Sequence, residues 1–255
     1  MRFLLYNIRY GTGGKPILFP WSGYLRRTAT NLDDIIGFMK PLDPDIVGLI
    51  EVDAGSYRSG RLNQAQIIAD ALGHYNIYRS KYDRLSLANL LPVMNKQGNA
   101  FLTGDAVKHG QFHYFEKGVK RLVIELELEN LTIFLVHLAL SFRVRHHQLS
   151  DLYSLVKDTR KPLIVAGDFN VSWGDREIRL FLAATGLTKA GPDDALTFPS
   201  WAPKRQLDFV LYSPGIKVTR FMTPLVTFSD HLPIVCDFDL PAAPGNGKRA
   251  DAPGA

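Results

Sequence analysis

Cysteine is almost absent from this sequence: the 255 residues contain only Cys236. A single cysteine cannot form a disulfide within the chain, which suits a protein of a reducing compartment. It also leaves no set of cysteine ligands for a structural zinc ion. Cys236 lies in an apolar run that is typical of a strand, so we expect a small buried hydrophobic residue there and not a catalytic thiol.

Long hydrophobic runs are missing as well. No stretch approaches the roughly 20 apolar residues that cross a bilayer. The apolar run of residues 1–6 is too short for a secretory signal and leads directly into a predicted strand. We therefore expect a soluble, cytoplasmic protein without a transmembrane segment, and we expect a monomer.

The charge of the chain is only mildly basic, with 30 Lys and Arg against 25 Asp and Glu and a formal net charge of +5. This balance is compatible with a phosphorylated or polyanionic substrate, and equally with solubility alone. The sequence has no long Lys/Arg run that would follow a phosphate backbone over many nucleotides. Charge alone therefore does not select a partner.

Apolar periodicity predicts a single α/β domain over residues 1–240, followed by a disordered tail of Pro, Gly and Ala over residues 241–255. Helices alternate with strands early in the chain, and paired strands follow, which indicates mixed sheets covered by helices. The predicted helices cover residues 24–40, 63–72, 142–157 and 175–184. The predicted strands cover residues 3–8, 45–52, 75–78, 98–102, 121–129, 131–138, 162–166, 206–212, 216–221 and 234–240, whereas residues 81–97 fit neither pattern. In residues 121–129, apolar and polar positions alternate, which predicts one buried and one largely wet face.

Polar residues follow these predicted strands at six places, where chemistry most often collects because the scaffold is rigid and solvent can reach it. An Asp-His pair stands at the edge of the last strand, where we expect it to face outward, and Asp208 lies early in its own strand. The residues at the strand ends are Asn7, Glu51, Asn99, His137, Asp168 with Asn170, and Asp230 with His231.

The types of these side chains point to one chemistry. Carboxylates and amides without Cys ligands, and without histidines at zinc spacing, form a hard oxygen site that prefers Mg²⁺ or Mn²⁺. The two histidines can donate or accept a proton near neutral pH. Together they indicate metal-assisted attack of water on a phosphate ester.

Seven short segments resemble, in content and order, the motifs of the endonuclease/exonuclease/phosphatase superfamily, which includes pancreatic deoxyribonuclease, apurinic-site endonucleases, neutral sphingomyelinases and inositol-polyphosphate 5-phosphatases. The most specific are Gly-Asp-Phe-Asn and Ser-Asp-His-x-Pro in this order. The segments are Tyr6-Asn7-Ile8-Arg9, Leu49-Ile50-Glu51-Val52, Gly98-Asn99-Ala100, His137-Leu138, Gly167-Asp168-Phe169-Asn170, Leu207-Asp208-Phe209-Val210 and Ser229-Asp230-His231-Leu232-Pro233. The resemblance implies a four-layer α/β sandwich, two mixed β-sheets flanked by helices, with the site at strand ends between the sheets.

The resemblance also implies a role for each matching residue. Glu51 would be the principal ligand of Mg²⁺ or Mn²⁺, with Asn7 beside it and Asp230 as a further contact to the metal or to water. Asn99 would shape the site, and Asn7 and Asn99 could instead serve turns.

For the reaction itself, Asp168 would orient the attacking water and Asn170 would bind the phosphate. His231, oriented by Asp208, would be the general base or would stabilise the developing phosphorane charge. His137 resembles the deoxyribonuclease and sphingomyelinase branches, since apurinic-site endonucleases usually carry Tyr there. It would bind a phosphate oxygen or protonate the leaving group, unless it is simply packed at the end of an apolar strand.

Four further residues have both a functional and a structural interpretation. Arg143 or Arg145 could clamp a substrate phosphate, or could stand exposed at the start of a helix. Arg58 and Asn63, after Glu51, could contact a substrate at the rim of the site.

Three hypotheses for the substrate follow. The first is a small-molecule or lipid phosphoester, because a chain of 255 residues leaves little room for inserts that bind a polymer. Two apolar stretches, residues 17–21 and 87–94, could then meet a hydrophobic tail or could pack in the core. The second is DNA or RNA. The third, which the presence of every expected catalytic residue type opposes, is a non-catalytic binding domain.

Overall fold

The computed structural model describes residues 1–14, 29–57, 59–80 and 96–241. Arg58, the apolar stretches 17–21 and 87–94, the first residues of the first predicted helix (24–28) and the tail from residue 242 lie outside these ranges. Within them the chain forms four α-helices and two six-stranded mixed sheets. None of these helices has the length and apolar character needed to span a bilayer.

The ten predicted strands and the four predicted helices occur in the predicted order with shifted ends, and two further strands, His109–Tyr114 and Thr188–Lys189, were not predicted. The strands, in chain order, are β1 (Arg2–Asn7), β2 (Ile46–Asp53), β3 (Tyr75–Ser80), β4 (Gln97–Thr103), β5 (His109–Tyr114), β6 (Leu122–Glu127), β7 (Thr132–His137), β8 (Leu163–Asp168), β9 (Thr188–Lys189), β10 (Asp208–Tyr212), β11 (Lys217–Met222) and β12 (Ile234–Asp239). The helices are α1 (Ala29–Met39), α2 (Gln64–Leu72), α3 (Phe142–Val156) and α4 (Arg179–Thr185).

The two sheets pack face to face and each carries helices on its outer face. The first has the order β11-β12-β1-β2-β4-β3, and the second has the order β5-β6-β7-β8-β10-β9. Because successive side chains of a strand point to opposite faces, Phe3 and Leu5 of β1 enter the core between the sheets. Leu4 of the same strand packs towards α1 and α2. A third core joins the second sheet to α3 and α4. The predicted four-layer α/β sandwich is therefore confirmed.

Strand β6 has the predicted buried face, formed by Leu122, Ile124 and Leu126, but its other face is exposed only in part. Val123 falls on the face that alternation assigned to solvent, yet it is fully buried in the core that the second sheet shares with α3 and α4. Glu125 and Glu127, further along, are partly exposed. The neighbouring strand β5 was missed because its sequence, His-Gly-Gln-Phe-His-Tyr, is too polar to stand out as a strand. It lies at the edge of the sheet, and its residues are exposed or half-buried.

Strand pairing brings the predicted site residues to one end of the sandwich. In the first sheet β1 and β2 run parallel, so that Asn7 pairs with Ile50, the residue before Glu51. In the second sheet the parallel strands β7 and β8 end together, with His137 paired to Asp168. Strand β10 runs antiparallel to β8, so its first residue, Asp208, also pairs with Asp168.

Gly167, just before Asp168, permits the close approach of β7 and β8. Its φ is +151°, in a region that residues with a side chain rarely adopt. A Cβ atom there would lie 1.9 Å from the carbonyl oxygen of Val136 on β7. The glycine of the Gly-Asp-Phe-Asn motif is thus required by backbone packing.

We expect Gly167→Ala to lower the free energy of unfolding by about 2 kcal/mol or more, because β7 and β8 must separate to admit the methyl group. The matched control is Gly37→Ala, in the interior of α1, where an added Cβ would meet no described atom within 4 Å. Alanine there should be neutral or stabilising by up to about 1 kcal/mol. Urea denaturation of both variants measures the difference, and equal stabilities would contradict the packing argument.

Candidate active site

A cavity of about 270 Å³ opens at this end of the sandwich. Six of the residues predicted from the sequence line it, and they come from both sheets and from the loop before β12. They are Asn7, Glu51, Asp168, Asn170, Asp230 and His231. The structure therefore brings together side chains that lie up to 224 positions apart in the chain.

Asp168 lies at the centre of this group and is almost fully buried. Asn7 Nδ2 donates to its Oδ2 across the two sheets at 3.2 Å, and Nε2 of His137 lies 3.3 Å from the same oxygen. The other oxygen accepts the backbone N–H of Asn170 at 2.9 Å. Burial raises the pKa of Asp168, and the neighbouring carboxylate of Asp208 raises it further. A raised pKa makes this carboxylate a better proton acceptor than an exposed Asp.

His231 is held by a hydrogen bond from its Nδ1 to Oδ2 of Asp208, at 2.8 Å. Its Nε2 lies 3.9 Å from Oδ2 of Asp168. With only 6% of the residue exposed, it does not face outward as the sequence suggested; it lines the cavity. Burial alone would lower the pKa of His231, but the nearby carboxylates, led by that of Asp208, outweigh burial and raise the pKa from 6.5 to about 10. The imidazole is therefore protonated at neutral pH.

Glu51 owes its position to an irregularity in β2. Ile50 and Glu51 together face the single residue Asn99 on β4, so the strand carries one extra residue at this point. Glu51 has a φ of +56°, which is strained for a residue with a side chain. The side-chain oxygen of Asn99 accepts the backbone N–H of Glu51 at 3.3 Å. Asn99 is buried and supports this bend; that it shapes the site stays a prediction.

Asp230, in the loop before β12, also lines the cavity. Arg9 Nε lies 3.2 Å from its Oδ2. Burial raises the pKa of Asp230, and the charges of His231 and Arg9 partly offset that effect. The negative charge of Glu51 also acts on Asp230, so these two carboxylates share one electrostatic environment.

Lys120 is a site residue that the sequence did not reveal. It precedes β6 in a loop without a recognisable motif, and its Nζ contacts Nε2 of His137 and lies 3.9 Å from Oε1 of Glu51. Arg9 and Arg205 also line the cavity. Arg9 stands inside a quoted motif and could have been found there, whereas Arg205 lies in an irregular segment between β9 and β10. Three cationic side chains thus face the carboxylates.

Asn170 adopts a φ of +52° directly after β8. Its Nδ2 donates to the carbonyl of Leu138 at 2.9 Å, which ties the end of β8 to the end of β7. Asn tolerates this backbone region better than most residues. The motif's asparagine therefore has a structural task besides its place in the cavity.

The structure gives the two arginines after His137 different positions. Arg143 is exposed on the first turn of α3. Arg145 is buried, and its Nε donates to Glu177 at 2.9 Å while its Nη1 donates to the carbonyl of Ala139 at 2.9 Å. Its guanidinium is thereby occupied, so Arg145 is not available to clamp a phosphate. Asn63 is the N-cap of α2, with its side chain accepting two backbone N–H groups.

Two groups of side chains in this region could hold a metal ion. Asp168, Asp208 and His231 each place a potential ligand atom within 4.8 Å of the others. In that group, however, Oδ2 of Asp208 is already engaged by Nδ1 of His231 at 2.8 Å. Glu51, Asp230 and Asn7 form the second group; all three line the cavity, and the side-chain oxygen of Asn7 also accepts the backbone N–H of Arg9 at 3.1 Å. Their chemistry fits a hard divalent cation.

The family model described as endonuclease/exonuclease/phosphatase family matches residues 4–231, nearly the whole chain. The chain belongs to the endonuclease/exonuclease/phosphatase family. The superfamily resemblance drawn from the seven motifs is therefore confirmed. Because the match runs from β1 to His231, it includes the cavity-lining carboxylates.

Individual relatives are more distant. A UPF0294 protein of Vibrio cholerae serotype O1 is 33% identical over 119 residues, which cover 45% of this chain and 41% of the relative, so the chain aligns with less than half of that protein's length. A functionally unknown conserved protein from Enterococcus faecalis V583 superposes with a TM-score of 0.71 at 14% identity, covering 94% of this chain and 99% of the other. The mannosyl-6-phosphatase of Bacteroides thetaiotaomicron superposes with a TM-score of 0.69 at 15% identity, covering 94% and 100%. Because both proteins are at most 15% identical to this chain, the superpositions show a shared fold and no more.

We expect Asp208→Asn to lower the pKa of His231 by about 1–3, because burial remains while the adjacent negative charge is lost. In the wild type, a pKa raised by folding stabilises the folded chain below pH 6.5, and this contribution disappears as the pH rises towards 10. NMR titration of the imidazole in the presence of chelator measures the shift. Asp239→Asn, at the exposed end of β12, is the matched control and should leave the pKa of His231 unchanged.

Proposed function

We propose that the chain is a metal-dependent phosphoester hydrolase that activates water to attack a small-molecule or lipid phosphate ester. The observation that carries the proposal is the arrangement around His231. Its Nδ1 is bound to Asp208, so its Nε2 is directed to the cavity and to the buried carboxylate of Asp168. Oxygen donors and cations line the same cavity, as the hydrolysis of a charged ester requires.

Glu51, Asp230 and Asn7 are the residues we assign to the ion, and Mg²⁺ or Mn²⁺ is the cation that such donors suit. When bound, the cation neutralises phosphate charge and lowers the pKa of a coordinated water. The strained backbone at Glu51 supports this assignment, because strain of this kind persists where function requires a particular side-chain direction.

The reaction assigns different tasks to Asp168 and His231. Asp168, with its raised pKa, orients the attacking water and accepts its proton. His231, protonated at neutral pH, donates a hydrogen bond to a phosphate oxygen and stabilises the charge that develops there. The raised pKa of His231 thus favours the stabilising role over the role of general base.

In this proposal Asn170 and Lys120, which line the cavity, and His137, which lies buried behind it, position the ester. Asn170 binds the phosphate, and His137 with Lys120 beside it lies next to Glu51 and Asp168, where a phosphate oxygen or the leaving group would stand. The exposed Arg143 is a candidate contact outside the cavity. A cavity of about 270 Å³ is sized for one phosphate group and a small part of its substituent. The mannosyl-6-phosphatase that shares this fold acts, by its name, on a small phosphate ester.

A nuclease is the second candidate function. Arg9, Lys120 and Arg205 line the cavity, and cations at a phosphate-sized opening also suit the backbone of DNA or RNA. Hydrolysis of bis-p-nitrophenyl phosphate, plasmid DNA and a phospholipid panel, each with Mg²⁺ or Mn²⁺ and then with chelator, separates the two. If DNA alone is cleaved, the small-ester proposal fails.

We expect Glu51→Gln and His231→Ala each to reduce turnover of the best of these substrates by at least about 100-fold while the fold is retained. Glu129→Gln is the matched control, because Glu129 is exposed and pairs only at the surface with Lys108. Steady-state kinetics with circular dichroism for the fold give the comparison. Near-normal activity in either variant would refute the role assigned to that residue, and inactivity of the wild type towards every substrate would favour a non-catalytic binding domain.

A separate measurement locates the ion. We expect Glu51→Gln to weaken binding of Mn²⁺, followed by electron paramagnetic resonance, by more than about 10-fold. Asp208→Asn should leave the affinity nearly unchanged, since Asp208 holds His231 in our assignment. If Asp208→Asn weakens Mn²⁺ binding more than Glu51→Gln does, the ion lies among Asp168, Asp208 and His231 instead.

A further inference from the structure

Three large apolar side chains stand exposed beside the mouth of the cavity. Leu140, in the loop after β7, is 72% exposed, Phe142 at the start of α3 is 53% exposed, and Trp173, after β8, is 78% exposed. We call these three residues the apolar rim. Isolated exposed apolar residues are common, but a contiguous group is a mark of an interaction surface.

The rim is continuous with the cavity. Leu140 lines the cavity itself, and Ser172, which precedes Trp173, also lines it. The rings of Phe142 and Trp173 lie 6.1 Å apart between centroids with an interplanar angle of 32°. The spacing is too short to admit another ring between them. The two aromatic side chains therefore form one surface, and Leu140, two residues before Phe142, lines the cavity beside them.

A buried ion pair holds the rim in place. Arg145 Nη1 donates to the carbonyl of Leu140 at 3.0 Å, and the same guanidinium is bound to Glu177. The other oxygen of Glu177 accepts the backbone N–H of Trp173 at 2.9 Å. The backbones of Leu140 and Trp173 are thus joined through two buried side chains, so the exposed side chains stand on a fixed base.

The surroundings of the rim are basic. Arg143 follows Phe142 and is exposed, and Arg176 and Arg179 are exposed a few residues after Trp173. The ring of His146 contacts that of Phe142, with centroids 4.3 Å apart and an interplanar angle of 53°. Exposed aromatic and aliphatic side chains with flanking arginines are the combination that binds the interface of an anionic bilayer.

We propose that the apolar rim docks the protein on the surface of an anionic phospholipid bilayer. Nucleic acid also attracts basic, aromatic surfaces, but an exposed aliphatic side chain such as Leu140 gains most free energy by entering the acyl boundary of a membrane. Docking in this orientation brings the cavity mouth to the level of the headgroups. A headgroup phosphoester is then the substrate class that reaches the site, and this last step rests on the proposed function.

The test is co-sedimentation with vesicles of phosphatidylcholine alone and with vesicles that also contain phosphatidylserine. We expect the wild type to bind the anionic vesicles and the double variant Phe142→Ser, Trp173→Ser to bind them at least about 10-fold more weakly. The single variant Trp173→Ser should show an intermediate loss, and it covers the case in which the double variant fails to fold. Tyr75→Ser is the matched control, because Tyr75 is also 72% exposed. It lies at the start of β3, paired with Thr103, at the opposite end of the strand from the pairing with Asn99. This variant should bind as the wild type does.

The proposal fails if the wild type does not sediment with anionic vesicles, or if the rim variants bind them as well as the wild type. It also fails if single-stranded DNA, and not the vesicles, distinguishes wild type from variant, since the rim would then be a stacking surface. Glu51→Gln should bind vesicles normally. The two proposals can therefore fail independently. Loss of turnover with retained vesicle binding would leave the docking proposal standing, and loss of vesicle binding with retained turnover would leave the hydrolase proposal standing.

Discussion

The hydrogen bond from Asn7 to Asp168 is the contact around which the site is built. It joins the end of a strand in one sheet to the end of a strand in the other, and it does so at a buried carboxylate. A buried charge is costly unless it is bound on several sides. Asp168 meets this condition through Asn7, His137 and the backbone of Asn170. The bonds that satisfy this one carboxylate therefore join the end of β1 to the ends of β7 and β8.

Much of this arrangement could be predicted from the sequence, because motif residues follow apolar strands directly. Asp168 was identified in this way, whereas His231 was identified from the motif that precedes β12. The parallel pairs β1–β2 and β7–β8 explain why residues at the strand ends meet. Lys120 could not be found, since it comes from a loop whose distance from Glu51 depends on long-range packing. Strand β5 was not predicted for a similar reason, because its polar sequence forms a strand through pairing with β6. Local patterns thus predicted what lies on the strands, and tertiary contacts decided the rest.

Helix α3 has a second task besides covering the sheet. Its buried polar residues, Arg145 and Gln148, face the chain segments that carry the site. Gln148 Nε2 donates to the carbonyl of Lys120 at 2.7 Å, and its Oε1 accepts the backbone N–H of Ala139 at 2.8 Å. Arg145 reaches the loops on either side of Leu140 and Trp173 through its own bonds and those of Glu177. Buried polar side chains of this kind cost free energy unless fully satisfied, and here they set the separation of three loops.

The extra residue in β2 has a consequence for how this protein tolerates change. In a regular strand the direction of a side chain follows from the pleat. The direction of the Glu51 side chain is set instead by a backbone bend that interrupts the pairing of β2 with β4. Deleting one residue at this point would let β2 and β4 pair without interruption and would carry the carboxylate away from the cavity. Under the proposed function, selection for thermal stability and selection for activity would therefore oppose each other at this position.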